Sequence, residues 1–220
     1  MRRKEHRYQR RPYRAAIGFL LLAICLAACG PAPSGQPFQG EINIFLDPEQ
    51  TAADSAGKII LKNHGYTWML EPKAGYLVDG IVLSKKNYGS DWNAMLSPCD
   101  LALGWGQLAK AGLYKKCRWS QSGRWYYWKY GKDFPMDNNF IARWSANNHI
   151  IPASENLKAA LKRVSPGDTV RLQGYLVNIT GSNGRNVYQW QSSLSREDQG
   201  NGSCEVLYLT EMAWRGVTYK

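Results

Sequence analysis

Residues 169–179, TVRLQGYLVNI, constrain the fold more than any other stretch of this chain. Val170, Leu172 and Leu176 fall on one parity, and Tyr175, Val177 and Ile179 on the other. That alternation predicts a long strand with two distinct faces, and Gly174 lets it bend. Ser165-Pro166-Gly167-Asp168 turn the chain into this strand, and Gly181 to Gly184 turn it out again. A second strand is expected over roughly Asn186 to Ser193, then a polar loop over 195–203, then a third strand over Glu205 to Thr210. A strand bent at an internal glycine, a hairpin and a closing strand are what a small closed or half-closed barrel needs. Just upstream, Ser154 suits an N-cap, Glu155 complements the helix dipole, and Leu157, Leu161 and Val164 recur at helical spacing. The expected class is α+β, a β-rich barrel-like core with one or two short helices. The oligonucleotide/oligosaccharide-binding type is one barrel of this kind.

The amino half reads less cleanly. Residues 41–45, EINIF, alternate like a short strand, while 51–65 suit a helix stopped by Gly65. Residues 75–84 predict a buried strand with a bulge at Gly80. Ser90-Asp91 would cap a short helix running to Leu96 and ended by Pro98, and 100–105, DLALGW, form another apolar run.

The first 28 residues carry seven basic side chains and one acid, followed by an apolar run from Ala15 to Ala28. Basic region, apolar region and small residues, in that order, make a secretory signal. The run ends Leu26-Ala27-Ala28-Cys29, which resembles the lipobox of bacterial lipoproteins. The resemblance implies cleavage before Cys29, a palmitate-type lipid on its thiol and a periplasmic domain; Gly30 after the Cys implies the outer membrane. Fourteen apolar residues reach only about 21 Å as a helix, against a hydrocarbon core of about 30 Å, so the alternative of a single-pass inner-membrane anchor is disfavoured. The expected organisation is a signal peptide over 1–28, a flexible tether over 29–40, rich in Pro and Gly, and one globular domain over 41–220. Removing the leader takes +6 from the formal charge of +11. The remaining +5 favours anionic envelope polymers over nucleic acid.

Cys25 goes with the leader and Cys29 is expected to carry the lipid, leaving Cys99, Cys117 and Cys204. In an oxidising compartment these allow one disulfide, and Cys99–Cys117 closes the shortest loop. No C-x-x-C spacing occurs and only three histidines are present, so neither a metal site nor a cofactor is expected.

Residues 118–130, RWSQSGRWYYWKY, interleave six Trp and Tyr with Arg118, Arg124 and Lys129. Aromatic faces with cations stack rings and pair with anions, so Arg118, Arg124, Trp125, Tyr127 and Lys129 are the candidate binding residues. The same residues also suit a strand, with Trp125, Tyr127 and Lys129 on one face and Tyr126, Trp128 and Tyr130 on the other, one face packing in the core. The alternative chemistry is catalytic. Cys204 as a thiolate, His149 as its base and Asp198 to orient the ring would make a Cys-dependent hydrolase or transferase. His149 is equally a structural hydrogen-bonder, and Cys204 enters an expected strand rather than opening a helix, where a thiol is acidified.

The segments SPCDLALGWG, SQSGRWYYW, NNHIIPA, GDTVRLQGYLVNI and SSLSREDQGNGSCE together resemble a bacterial family of unknown function over about residues 75–210. That resemblance implies an envelope setting and carries no activity, ligand or catalytic residue. The expected function is therefore a lipid-anchored, non-enzymatic binding module for a glycan, an anionic envelope polymer or a protein partner. The Cys-dependent enzyme is the first alternative. The second is a single-strand nucleic-acid binder in a DNA transfer apparatus, which secretion argues against.

Overall fold

A computed structural model describes residues 32–53, 56–89, 93–195 and 203–220. The expected leader with Cys25, and Cys29 after it, lie outside them, as do Arg196 and Asp198 of the polar loop. Residues 33–220 form one compact unit. Its strands are β1 (Gln36–Pro37), β2 (Glu49–Ala52), β3 (Ile59–Asn63), β4 (Tyr66–Asn87), β5 (Cys99–Gly104), β6 (Cys117–Ser122), β7 (Trp125–Tyr130), β8 (Ser145–Pro152), β9 (Thr169–Ser182), β10 (Val187–Trp190), β11 (Glu205–Trp214) and β12 (Val217–Tyr219). The helices are α1 (Gly106–Lys110), α2 (Asn138–Arg143) and α3 (Glu155–Arg163).

Five strands close into a ring in the order β4–β5–β8–β11–β9, with β9 returning to β4. Every pairing in the ring is antiparallel except β8 with β11, which is parallel. Closure removes the barrel's sheet edges, and five strands are the number of the oligonucleotide/oligosaccharide-binding type. α3 lies between the third and fourth barrel strands in the chain.

β9 has the two faces its sequence predicts. Val170, Leu172 and Leu176 enter the barrel interior with Leu101, Ile150, Leu207 and Leu209. Val177 and Ile179 join a second cluster outside the barrel with Trp68, Ile151 and Val206, and Tyr175 packs against it. At Gly174 a side chain has no room, because its Cβ would overlap the Tyr208 carbonyl of β11. The bend therefore lets two strands approach closely where the ring shuts. α3 closes one part of the interior with Leu157, Ala160 and Leu161. Ser154 caps it by accepting from the Leu157 amide at 3.1 Å. At its other end Lys85 Nζ donates to the carbonyls of Leu161, Lys162 and Val164 at 2.7, 3.0 and 2.8 Å.

The amino half departs from expectation. EINIF forms no strand: residues 41–43 are irregular and 44–46 turn. The described residues of 51–65 form no helix either. Thr51 and Ala52 belong to β2, and β3 runs into a tight turn at His64-Gly65 before β4. Both strands pair with β4, so the main-chain bonds that a helix would make locally go across a ladder. β4 itself runs through 22 residues and is bent by register shifts between Pro72 and Ala74 and between Val82 and Ser84, not at Gly80. The bends let one continuous strand serve β2, β3, β5 and β9, which hides its period in the sequence.

The expected tether is docked from its middle onward. Ser34 exchanges two main-chain hydrogen bonds with the Asn156 amide, each 2.8 Å, and Gln36–Pro37 pair with Val217–Thr218. The Cys99–Cys117 bridge is absent. Cys99 belongs to the barrel interior and Cys117 to a third cluster beneath β6 and β7, and no cysteine pair among the described residues is bonded. Burial pushes the Cys99 thiol up to about 12 and raises Cys117 as well. Among the described residues no helix is long and apolar enough to cross a membrane; the segment of the alternative single-pass anchor lies outside them.

Candidate functional site

The site is built on the outer face of β5 and β8. Along β8, Ala146 and Ile150 point into the barrel, which leaves Asn147, His149 and Ile151 outward. On β5, Leu101 points inward and Asp100 outward, and Asp100 is the cross-strand partner of His149. An outward Asp and His would ordinarily be wet, yet both are buried, because two hairpins cover this face.

The first cover is β6–β7, a separate two-stranded sheet. Its turn is Gly123-Arg124 with φ of +59° and +70°, so both residues are left-handed, as the right-handed strand twist favours in a two-residue loop. For arginine that conformation costs about 1–2 kcal/mol. Trp119, Tyr126 and Trp128 pack down on the barrel, Gln121 donates to Asn147 Oδ1 at 2.6 Å, and the Tyr126 hydroxyl meets Ser145. The opposite face carries Arg118, Trp125, Tyr127 and Lys129. The sequence thus separates the two faces correctly.

Arg124 leaves that outer group. Its guanidinium lies 3.7 Å from the centroid of the Tyr88 ring and 5.7 Å from that of Trp190. Nη1 donates to Asp100 Oδ1 at 2.8 Å and to the Ser97 carbonyl at 3.0 Å. His149 Nδ1 lies 3.0 Å from the same Asp100 oxygen, though the pair is not aligned as a hydrogen bond. Asp100, wholly buried, is therefore the hub of a guanidinium, an imidazole and a phenol. Burial, and then the Asp100 charge, push the Tyr88 hydroxyl well above its ordinary value.

The second cover is β9–β10. Trp190 packs on the His149 ring at 4.7 Å between centroids, and Tyr188 continues toward Tyr66 and Trp68. Between the two covers lies a cleft of about 510 Å³ lined by Arg124, Trp125, His149, Trp190 and Cys204. Asn93, from the loop after the first barrel strand, also lines it, as do Gln189 and Gln191 from the connection between the last two. The second and third strands, with those two loops, are where barrels of the oligonucleotide/oligosaccharide-binding type take their ligands. Fold-level likeness of this kind gives a location, not a function.

The structure thus brings four of the sequence candidates to one cleft: Arg124, Trp125, His149 and Cys204. Arg118, Tyr127 and Lys129 stand outside it on the exposed hairpin face, where Arg118 and Lys129 are direct cross-strand partners. Like charges placed opposite each other destabilise a ladder. Asp198 lies outside the described residues, and the carboxylate against His149 is Asp100. Sequence reasoning missed Asp100, Tyr88 and Trp190. The one signal for Asp100 was an acid opening an otherwise apolar strand. Among the described residues no three His, Cys, Asp or Glu side chains are grouped to hold a metal ion. No family model, curated protein or solved structure matches this chain.

Proposed function

We propose that this protein is a lipid-anchored binding module of the cell envelope whose cleft and adjoining hairpin face hold an anionic polymer, most simply an acidic glycan strand. One observation carries the reading: a strained turn drives Arg124 into a cleft walled by Trp125 and Trp190, beside a face where Arg118 opposes Lys129. Opposed like charges lower stability and are relieved by a ligand with negative charge, while the Trp faces offer such a ligand's rings a place to stack. Gly30 after Cys29 supports an outer-membrane address, and the lipid on Cys29 would supply the tether.

The test is retention of the purified full chain, in detergent, on insoluble peptidoglycan and on immobilised lipopolysaccharide. Trp125→Ala with Lys129→Ala should weaken retention by about tenfold or more, since stacking alone is worth about 1–3 kcal/mol per ring. Unchanged retention removes the proposed surface. Oligonucleotides form the control arm: tighter, steeply salt-dependent binding to them would move the function to single-stranded nucleic acid. Metabolic labelling with palmitate, lost in Cys29→Ala, tests the anchor.

A further inference from the structure

Cys204 sits where the polymer-binding reading gives a thiol no task. β11 pairs in parallel with β8, Glu205 opposite Asn148 and Val206 opposite His149, which sets Cys204 beside Asn147 on the outward face. Its Sγ lies 4.0 Å from Asn147 Nδ2, and its main chain is held by the Ser193 amide, which donates to the Cys204 carbonyl at 3.0 Å. His149 stands two residue pairs further along the same face, and it lines the same cleft. Its Nδ1 is turned to Asp100, so Nε2 is the nitrogen left for the cleft, and it makes no hydrogen bond among the described residues. The ring is 3% exposed and clamped by Trp190, so its orientation is set before any substrate arrives. A nucleophile and a base lining one cleft, with a carboxylate 3.0 Å from the base, are the parts of covalent acyl transfer.

We propose that Cys204, His149 and Asp100 form an acyl-transfer site that takes an acyl ester, going beyond the binding reading. The Cys204 proton passes to His149 Nε2, and the thiolate attacks the ester carbonyl carbon. The carbonyl re-forms as the C–O bond breaks, and the departing alkoxide takes the proton from His149. The resulting thioester is cleaved by water or an acceptor hydroxyl, deprotonated by His149, and the thiol is restored. Asp100 is the positioning residue: it lies 3.0 Å from Nδ1, which leaves Nε2 to the cleft, and Arg124 pairs with Asp100 in turn.

The experiment uses the full chain in detergent, with iodoacetamide and, separately, 4-nitrophenyl acetate, each adduct located by mass spectrometry. Cys204 should alkylate at pH 6.5 at least about tenfold faster than the same cysteine in the urea-unfolded chain, because a paired thiol is ionised at lower pH. His149→Gln should remove that advantage, and Asp100→Asn should move the pH profile of alkylation without abolishing it. 4-Nitrophenyl acetate should release a burst of about one equivalent of nitrophenolate and leave acetyl on Cys204. Alkylation of wild-type Cys204 no faster than in the unfolded chain overturns the proposal, whether or not the variants fold. A normal rate in His149→Gln, or acetyl placed elsewhere, does the same. None of these readouts involves a polymer, so this site and the binding surface fail independently.

Discussion

The two hairpins that wall the cleft are fastened by different chemistry. β9–β10 is the continuation of a barrel strand, and four consecutive residue pairs of main-chain ladder hold it. β6–β7 shares no ladder with the barrel, and each hydrogen bond that attaches it uses a side chain on at least one partner, among them Arg124 to Asp100, Gln121 to Asn147 and Tyr126 to Ser145, with three aromatic rings packed beneath. Main-chain fastening tolerates substitution because every residue supplies the same groups. Side-chain fastening concentrates the attachment in a few atoms, and here the most buried of them also hold His149.

Breaking the side-chain fastening should have the largest effect. Asp100→Ala leaves Arg124 without its carboxylate, and losing one partner of a buried pair costs about 3–5 kcal/mol. Urea unfolding measures the loss, and adding Arg124→Ala should recover part of it, because the two positions are coupled. On the other hairpin, Tyr188→Ala removes ring contacts to Tyr66 and Trp68 while the ladder survives, and a much smaller loss in the same unfolding assay is expected. A Tyr188 variant as damaging as the Asp100 variant would erase the contrast between the hairpins.

The smallest effect lies away from both, where Asp168 turns the chain into β9. Burial pushes its carboxyl up, but the Ser165 amide and Arg215 outweigh that and hold it below its ordinary value. A carboxyl lowered by folding stabilises at neutral pH, and the gain fades as pH falls through the folded value. Arg215 is 67% exposed, so Arg215→Ala should cost less than about 1 kcal/mol at pH 7. Unfolding curves of variant and wild type should converge in acid; a difference that widens there would contradict the assignment.

What the residues disclosed in advance follows the range of the forces involved. The faces of β9, the Ser154 cap and the two sides of the 125–130 strand depend on neighbours within a few positions, and those were readable. Asp100 was not, because its partners Arg124 and His149 stand 24 and 49 positions further on, and only barrel closure brings them to one oxygen. β3 was mistaken for helix because its ladder partner, not its own composition, decides its state. The Cys99–Cys117 expectation ranked pairings by loop length, whereas the fold sends one sulfur inside the barrel and the other outside it. Four of the seven candidate site residues lying within the described part converge: Arg124, Trp125 and Cys204 sit at a turn or strand end and His149 within β8, and the barrel gathers them.

Lys85, which takes three carbonyls at the end of α3, has a practical corollary. A single ammonium collects acceptors converging from three directions, a geometry that the flat fork of arginine cannot reproduce. The amides of that last helical turn should therefore exchange with deuterium more slowly than their place at a helix terminus would suggest. Reagents that modify amines should label the surface lysines well before this one.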